Sequence, residues 1–309
     1  MTKVFIDGSQ GTTGLRIFDR LSSREDVTLI TLPEELRKDL SARADAINSS
    51  DITFLCLPDA AAIEAVSKAK DNVKILDTST AHRTNEQWIY GFPEVFENGF
   101  ERVKNANRVA VPGCHASGFI ALVKPLIDAG ILSPDALLTC HSITGYSGGG
   151  KKMIAEYEDE NRDLLFDAPR QYALTQQHKH LKEIKAISGI DNAPAFCPIV
   201  ADFYSGMCVT VPLFASQLKN GADINTVKRI FKDKYNGPIV NYCEEIGEAG
   251  LVSAYGMSGK DSMQVFVEGN EDRILLISRY DNLGKGASGA ALECMNIMMG
   301  IDITTGLDL

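Results

Sequence analysis

The chain is expected to be an α/β protein: a doubly wound parallel sheet, followed by an α+β region on a mostly antiparallel sheet. Three observations predict this. Short apolar strands alternate with helical stretches up to about Leu76, the pattern of parallel strands joined by right-handed crossovers. A glycine loop, Gly8-x-x-Gly11-x-x-Gly14, stands between the first strand and the first helix. Beyond Cys114 the pattern changes to longer strand candidates with amphipathic helices between some of them.

Taken in order, Val4-Phe5-Ile6 is a short apolar strand, and Leu15, Phe18 and Leu21 mark one face of the helix after the glycine loop. Val27 to Leu32 is a second strand, and Glu34 to Asn48 reads as a helix. The continuous apolar run from Ile52 to Leu57 predicts a strand covered on both faces. Ala60 to Lys70 is helical, and Val73 to Leu76 is a strand. Arg108 to Val111 reads as a strand and Ser117 to Ala129 as a helix. Leu137 to Thr144, Met207 to Leu213, Met263 to Glu268 and Ile274 to Tyr280 are the later strands. Ile224 to Lys234 is a helix with Ile224, Val227, Ile230 and Phe231 on one face, and a last helix, Ala287 to Met299, is placed to return to the first part.

The chain has 309 residues, enough for one large or two medium domains with substantial cores. Its composition, 44% hydrophobic and 23% charged, is that of an ordinary globular protein. A formal charge of −10 argues against general nucleic-acid or anionic-membrane binding and leaves room for a local basic pocket. No apolar run approaches the ~20 residues that span a bilayer, and the N-terminus lacks a secretory or transit pattern. The seven cysteines are scattered without a CxxC pair, so they read as reduced thiols and not as disulfides or a metal site. A cytoplasmic protein is expected.

The glycine loop suits a dinucleotide: glycine permits the tight turn and close approach to a pyrophosphate, and the helix start supplies N–H groups. After the second strand, Arg37 and Lys38 favour a 2′-phosphate, hence NADP, although Glu34 and Glu35 are also near. Cys114, in Val-Pro-Gly-Cys-His-Ala-Ser-Gly, falls at the C-terminal end of a strand and near a helix start. That position favours a thiolate and places N–H groups for an oxyanion. A buried packing cysteine is the alternative, and it is the reading for Cys56, Cys140 and Cys294. For Cys114 the Pro-Gly corner and small neighbours favour a nucleophile.

A nucleophilic thiol needs a proton-transfer partner. Of five histidines, His178 and His180 in QQHKHLKEI can face one way on a strand or turn, with Glu183 able to orient one of them. A solvated polar segment is the competing reading, since Lys179 and Lys182 interleave. His115 adjoins Cys114 and is expected to point away; His141 reads as structural. Arg83 in DTSTAHR and the glycine-rich YSGGGKK, Tyr146 to Lys152, both follow strands and suit anions.

These stretches together resemble the N-acetyl-γ-glutamyl-phosphate reductase family in its shorter form, over nearly the whole chain. The resemblance rests on FIDGSQGTTGL, FLCLPDAAA, DTSTAHR, YGFPEV, PGC, GYSGGGK, HKH with Glu183, and DNLGKGASGAALECMNIMMG. More distantly the chain is similar to aspartate-semialdehyde and glyceraldehyde-3-phosphate dehydrogenases. The resemblance implies a Rossmann-type domain over 1–113 completed by 284–309, and a glyceraldehyde-3-phosphate dehydrogenase-like catalytic and dimerisation domain over 114–283. It implies NADPH-dependent reduction of an acyl phosphate to an aldehyde through a Cys114 thioester, with His178 as acid/base. Arg83, Ser147, Gly148, Tyr172, His180 and Glu183 would hold the substrate. Gly8, Ser9, Gly11, Thr12, Thr13, Gly14 and Asn282 would hold NADPH or NADP. A homodimer or homotetramer is expected. The family usually reads Asn-Pro-Gly-Cys-Tyr-Pro-Thr; Val111 and His115 depart from it beside the nucleophile. A thiol hydrolase would have no use for the glycine loop, and a non-catalytic NADPH sensor none for Cys114 with His178 and Arg83.

Overall fold

Apolar residues at successive positions of a strand point to opposite faces, so a strand that is apolar throughout must be covered twice. The computed structural model, which describes all 309 residues, shows this in the first of two compact units, made of residues 1–93, 98–112 and 290–307. Its strands are β1 (Thr2–Asp7), β2 (Val27–Ile30), β3 (Ile52–Leu55), β4 (Lys74–Asp77), β5 (Ile89–Tyr90) and β6 (Arg108–Ala110). They form one sheet in the order β2-β1-β3-β4-β6-β5, with every pairing parallel. Val4, Ile6, Phe54, Leu76 and Val109 pack into one core; Phe5, Leu55, Ile75 and Ala110 pack into the other.

The helices of this unit are α1 (Thr12–Ser22), α2 (Leu40–Ser49), α3 (Asp59–Lys68) and the short α4 (Gly99–Lys104). Ile17 and Leu21 of α1 join the first core; Ala46 and Ile47 of α2 with Ala62 and Ala65 of α3 join the second. Two expectations are corrected here. The buried face of α1 is Gly14, Ile17 and Leu21, while Leu15 is exposed. The helix expected from Glu34 is broken: Glu34–Leu36 is a single 3₁₀ turn, and α2 starts at Leu40. Asp39 causes the restart, because its carboxylate accepts from Ala42 N at 2.7 Å and caps the new helix.

The second unit holds residues 94–97, 113–289 and 308–309. Its strands are β7 (Thr139–Gly145), β8 (Arg170–Gln171), β9 (Ala195–Ala201), β10 (Met207–Phe214), β11 (Val240–Tyr242), β12 (Met263–Gly269) and β13 (Arg273–Tyr280). They form a mixed sheet in the order β11-β12-β13-β10-β7-β9-β8. Only β11–β12 and β7–β9 pair in parallel, so the sheet is mostly antiparallel. Its helices are α5 (Cys114–Asp128), α6 (Gly150–Glu158), α7 (His180–Ser188) and α8 (Ile224–Lys234). The last helix, α9 (Gly289–Met299), runs from Ala290 onward within the first unit, where Leu292, Met295 and Met298 are buried. No helix is long and apolar enough to cross a membrane.

Helix α5 is buried nearly all round, with Phe119, Ile120, Ala121, Leu122, Val123 and Leu126 fully covered. It contains Pro125, which has no N–H to donate to the Ala121 carbonyl one turn earlier. The buried Tyr235 hydroxyl donates to that carbonyl instead, at 2.7 Å. Gly118 lets α5 lie close to the sheet: a Cβ there would sit 2.6 Å from the Tyr280 hydroxyl and from Val209.

Candidate active site

Cys114 is the first residue of α5, so the helix begins three residues earlier than the sequence pattern indicated. Gly113 occupies the N-cap with extended backbone and no side-chain cap. Two side chains far away in sequence fix this corner. The Tyr280 hydroxyl accepts from Gly118 N at 3.0 Å and donates to the Cys114 carbonyl at 2.5 Å. Glu183, on α7, accepts from Gly113 N at 2.8 Å. Burial, and then the neighbouring Cys114, push the Tyr280 phenol well above its ordinary value, so it acts as a neutral hydroxyl. A Cβ at Gly286 would lie 3.0 Å from the Cβ of Cys114, so only glycine leaves the half-buried thiol undisturbed there.

An aromatic and imidazole cluster stands in the same unit. His178 and His180 have ring centroids 4.7 Å apart, and His115 lies 5.6 Å and 5.7 Å from them. Tyr172 is 6.0 Å from His178. His115 therefore belongs to this cluster. It is buried and bonded at both nitrogens, Nδ1 to Ser142 Oγ and Nε2 to the Tyr172 hydroxyl, each at 2.6 Å. Burial, with His178 and Lys179 adding to it, pushes the His115 imidazole down to about 3. Burial and then Lys179 push His178 down to about 4, so both rings are neutral near pH 7. The Nδ1 of His178 accepts from His180 N at 3.2 Å, which puts the neutral ring's proton on Nε2.

Ser147 and Gly148 lie in the turn between β7 and α6. Ser147 Oγ accepts from Asn282 Nδ2 at 3.0 Å, and Asn282 Oδ1 accepts from Gly206 N at 2.9 Å. The Asn282 amide thus ties the GYSGGG turn to the DNLGKG turn. Asp281, fully buried, gathers that second turn: it accepts from Ser205 Oγ and from the amides of Gly259, Leu283 and Gly284. Sequence reasoning missed Tyr280 and Asp281 as supports; the only signal was their place beside DNLGKG. His141 is exposed on β7.

In the first unit, Arg83 is buried, with Nε donating to the Val111 carbonyl at 2.9 Å and Nη2 to the Thr78 carbonyl at 2.9 Å. Its neighbour His82 donates or accepts at Nδ1 with the buried Asp77, 2.6 Å away, and stacks on Trp88 at 4.1 Å. The glycine loop has the expected geometry. Gly8 sits at φ +88°, where a Cβ would come 2.3 Å from the Cys56 carbonyl. A Cβ on Gly14 would be 2.4 Å from the Gly8 carbonyl, whereas one on Gly11, the N-cap of α1, would meet that carbonyl at an ordinary contact distance of 3.5 Å. Helix α1 has no side-chain cap and no acidic residue in its first turn. An anion such as a pyrophosphate fits there, on the loop that also carries Ser9, Thr12 and Thr13. Beside it lies a cavity of about 180 Å³ lined by Ser9, Leu15, Phe18, Leu32 and Arg37 among others. Exposed Leu15 thus faces this cavity. Cys140 and Cys294 are fully buried, as packing residues are.

Curated relatives decide the family. N-acetyl-γ-glutamyl-phosphate reductases of Brucella ovis and Brucella suis are 44% identical over 306 residues, covering 96% of this chain and 99% of theirs. The chain belongs to the N-acetyl-γ-glutamyl-phosphate reductase family. Residues 114–282 match the family model described as semialdehyde dehydrogenase, dimerisation domain, and residues 31–103 match semialdehyde dehydrogenase, NAD binding domain. The fold of this reductase family member is similar to aspartate semialdehyde dehydrogenase II from Vibrio cholerae, with a TM-score of 0.70 at 17% identity over 97% of this chain and 99% of that one. It is also similar to aspartate semialdehyde dehydrogenase with NADP from Candida albicans, with a TM-score of 0.67 at 14% identity over 98% and 99%.

Proposed function

We propose that the chain reduces N-acetyl-L-glutamyl 5-phosphate to N-acetyl-L-glutamate 5-semialdehyde, with NADPH as reductant and release of phosphate, in arginine biosynthesis. The observation that carries the reading is Cys114 at the first position of a rigidly buried helix, with its own carbonyl and the preceding amide fixed by Tyr280 and Glu183. The family named by the curated relatives supports the substrate.

The Cys114 thiolate attacks the acyl carbon. An S–C bond forms, the carbon–oxygen bond to phosphate breaks, and a thioester remains. The glycine loop of the first unit would hold NADPH, whose chemistry when bound would be to supply the hydride for reduction of this thioester. The tetrahedral oxygen then re-forms its carbonyl, the C–S bond breaks, and aldehyde and thiolate separate. Phosphate takes up one proton from water. His178 is the acid–base group; in the tautomer set by His180 N it holds its Nε2 proton toward the oxygen that becomes negative. Tyr172, His180, Glu183, Ser147 and Gly148 shape the substrate site, and Arg83 takes the phosphate. Gly8, Ser9, Gly11, Thr12, Thr13 and Gly14 hold the cofactor phosphates. Asn282 serves the cofactor end of the site through the two turns that it joins.

The chain works as a cytoplasmic homodimer or homotetramer. One face of the second sheet supports self-association, because Ile143, Phe214 and Leu275 are exposed on it beside His141.

The test is the reverse reaction: purified protein with the semialdehyde, NADP and phosphate, followed by NADPH absorbance. Cys114→Ser is expected to abolish it and to leave cofactor binding nearly unchanged. Phosphate-dependent turnover retained in that variant would overturn the thioester route.

A further inference from the structure

His115, the residue after the nucleophile, stands where related enzymes usually carry tyrosine, and its surroundings assign each proton around it. Ser142 Oγ is fully buried on β7, and His115 Nδ1 is its one hydrogen-bond partner. A hydroxyl that only accepted there would leave its own proton buried without an acceptor, which is costly. Ser142 therefore donates to Nδ1. The neutral imidazole then carries its proton on Nε2 and donates it to the Tyr172 oxygen. The Tyr172 hydroxyl makes no other hydrogen bond in the chain, so its own proton is left for a ligand. The opposite polarity would turn the Tyr172 proton inward to Nε2 and orphan that of Ser142.

We infer that Ser142 and His115 form a one-way hydrogen-bond relay that keeps the Tyr172 hydroxyl proton pointed at an anionic or carbonyl oxygen of the substrate on Cys114. Two further observations agree. Tyr172 is near enough to feel the charge of Cys114, and burial followed by that charge raises its phenol, so it stays protonated and can donate. His178, His180 and Phe196 pack around the His115 ring, edge-on for His178 and Phe196, and hydrogen bonds at both nitrogens hold its orientation. His115 and Ser142 are positioning residues: they act on the substrate through Tyr172. This inference deepens the proposed reductase reading and rests on it for the identity of the substrate.

Two measurements test it. Isotope-labelled histidine nitrogens in the wild-type protein, read by NMR without substrate, should show His115 protonated at Nε2 and bare at Nδ1. The reverse tautomer would overturn the relay whatever the enzyme's substrate. In the reverse assay, Tyr172→Phe should lower kcat/KM by about 10- to 100-fold, the loss of one hydrogen bond to a charged oxygen. Ser142→Ala should lower it comparably in the wild-type background and have little effect in the Tyr172→Phe background. NADP binding should be unchanged in all three. Losses that simply multiply would mean that Ser142 acts structurally, and the relay would be wrong. An inactive wild type would reject the reductase reading while leaving the tautomer result standing.

Discussion

The proline inside α5 makes a sharp stability test, because the helix carries the candidate nucleophile at its start. Tyr235→Phe keeps the ring and removes only the hydroxyl that donates to Ala121. Pro125 cannot supply the missing donor, and Ala121 is fully buried, so its carbonyl loses a partner that water cannot replace. That cost is about 1–3 kcal/mol. Pro125→Ala restores the N–H, so in the Tyr235→Phe background it should recover part of the loss. In the wild-type background it gains nothing comparable, since Tyr235 already serves the carbonyl. The coupling is the quantity to measure, by a double-mutant cycle on urea unfolding. The single tryptophan, Trp88, lies in the first unit, so circular dichroism or hydrogen exchange in α5 is the proper signal for the second. A Tyr235→Phe protein as stable as wild type, or Pro125→Ala with the same effect in both backgrounds, would refute the reasoning.

Acid should weaken the fold. His115 and His178 have folded-state values pushed down to about 3 and about 4 from 6.5, so the unfolded chain binds more protons between those limits. Stability is expected to fall as pH drops from about 6.5 toward 4, and urea midpoints across that range, with His115→Gln showing a weaker dependence, check it. Gly8→Ala places a side chain at φ +88° and 2.3 Å from a backbone carbonyl, so it should abolish cofactor binding and lower stability by at least ~1 kcal/mol, read by NADPH fluorescence and thermal unfolding. Asp39→Ala removes a helix cap and should cost about 1 kcal/mol with kcat unchanged, measured on the same preparations.

The strands were legible because burial on both faces writes itself as a continuous apolar run, as in Ile52–Leu55. The break before α2 was less so. Asp39 is a good cap in the middle of a stretch that otherwise reads as helix, and the local hydrogen bond to Ala42 won. Leu15 fits the helical period but lines a cavity beside the glycine loop, while Phe18, which also borders that cavity, and Leu21 pack on the core, so the apolar stripe of α1 is only partly a core stripe. Cys114, the glycine loop and the paired histidines could be found because each sits in a short, distinctive stretch. Tyr280 could not: 166 positions separate it from the carbonyl that it holds. The partners of His115 were not legible either: its imidazole bonds to Ser142 and Tyr172, which are 27 and 57 positions away.

The Glu183 carboxylate bonded to Gly113 has an electrostatic corollary for the sulfur next door. On the proposed route, a Cys114 thiolate would share with that carboxylate the few amide dipoles at the mouth of one helix. Once the sulfur is acylated it carries no charge, and the crowding is relieved. On the proposed thioester route, that repulsion would favour conversion of the thiolate into a neutral covalent adduct.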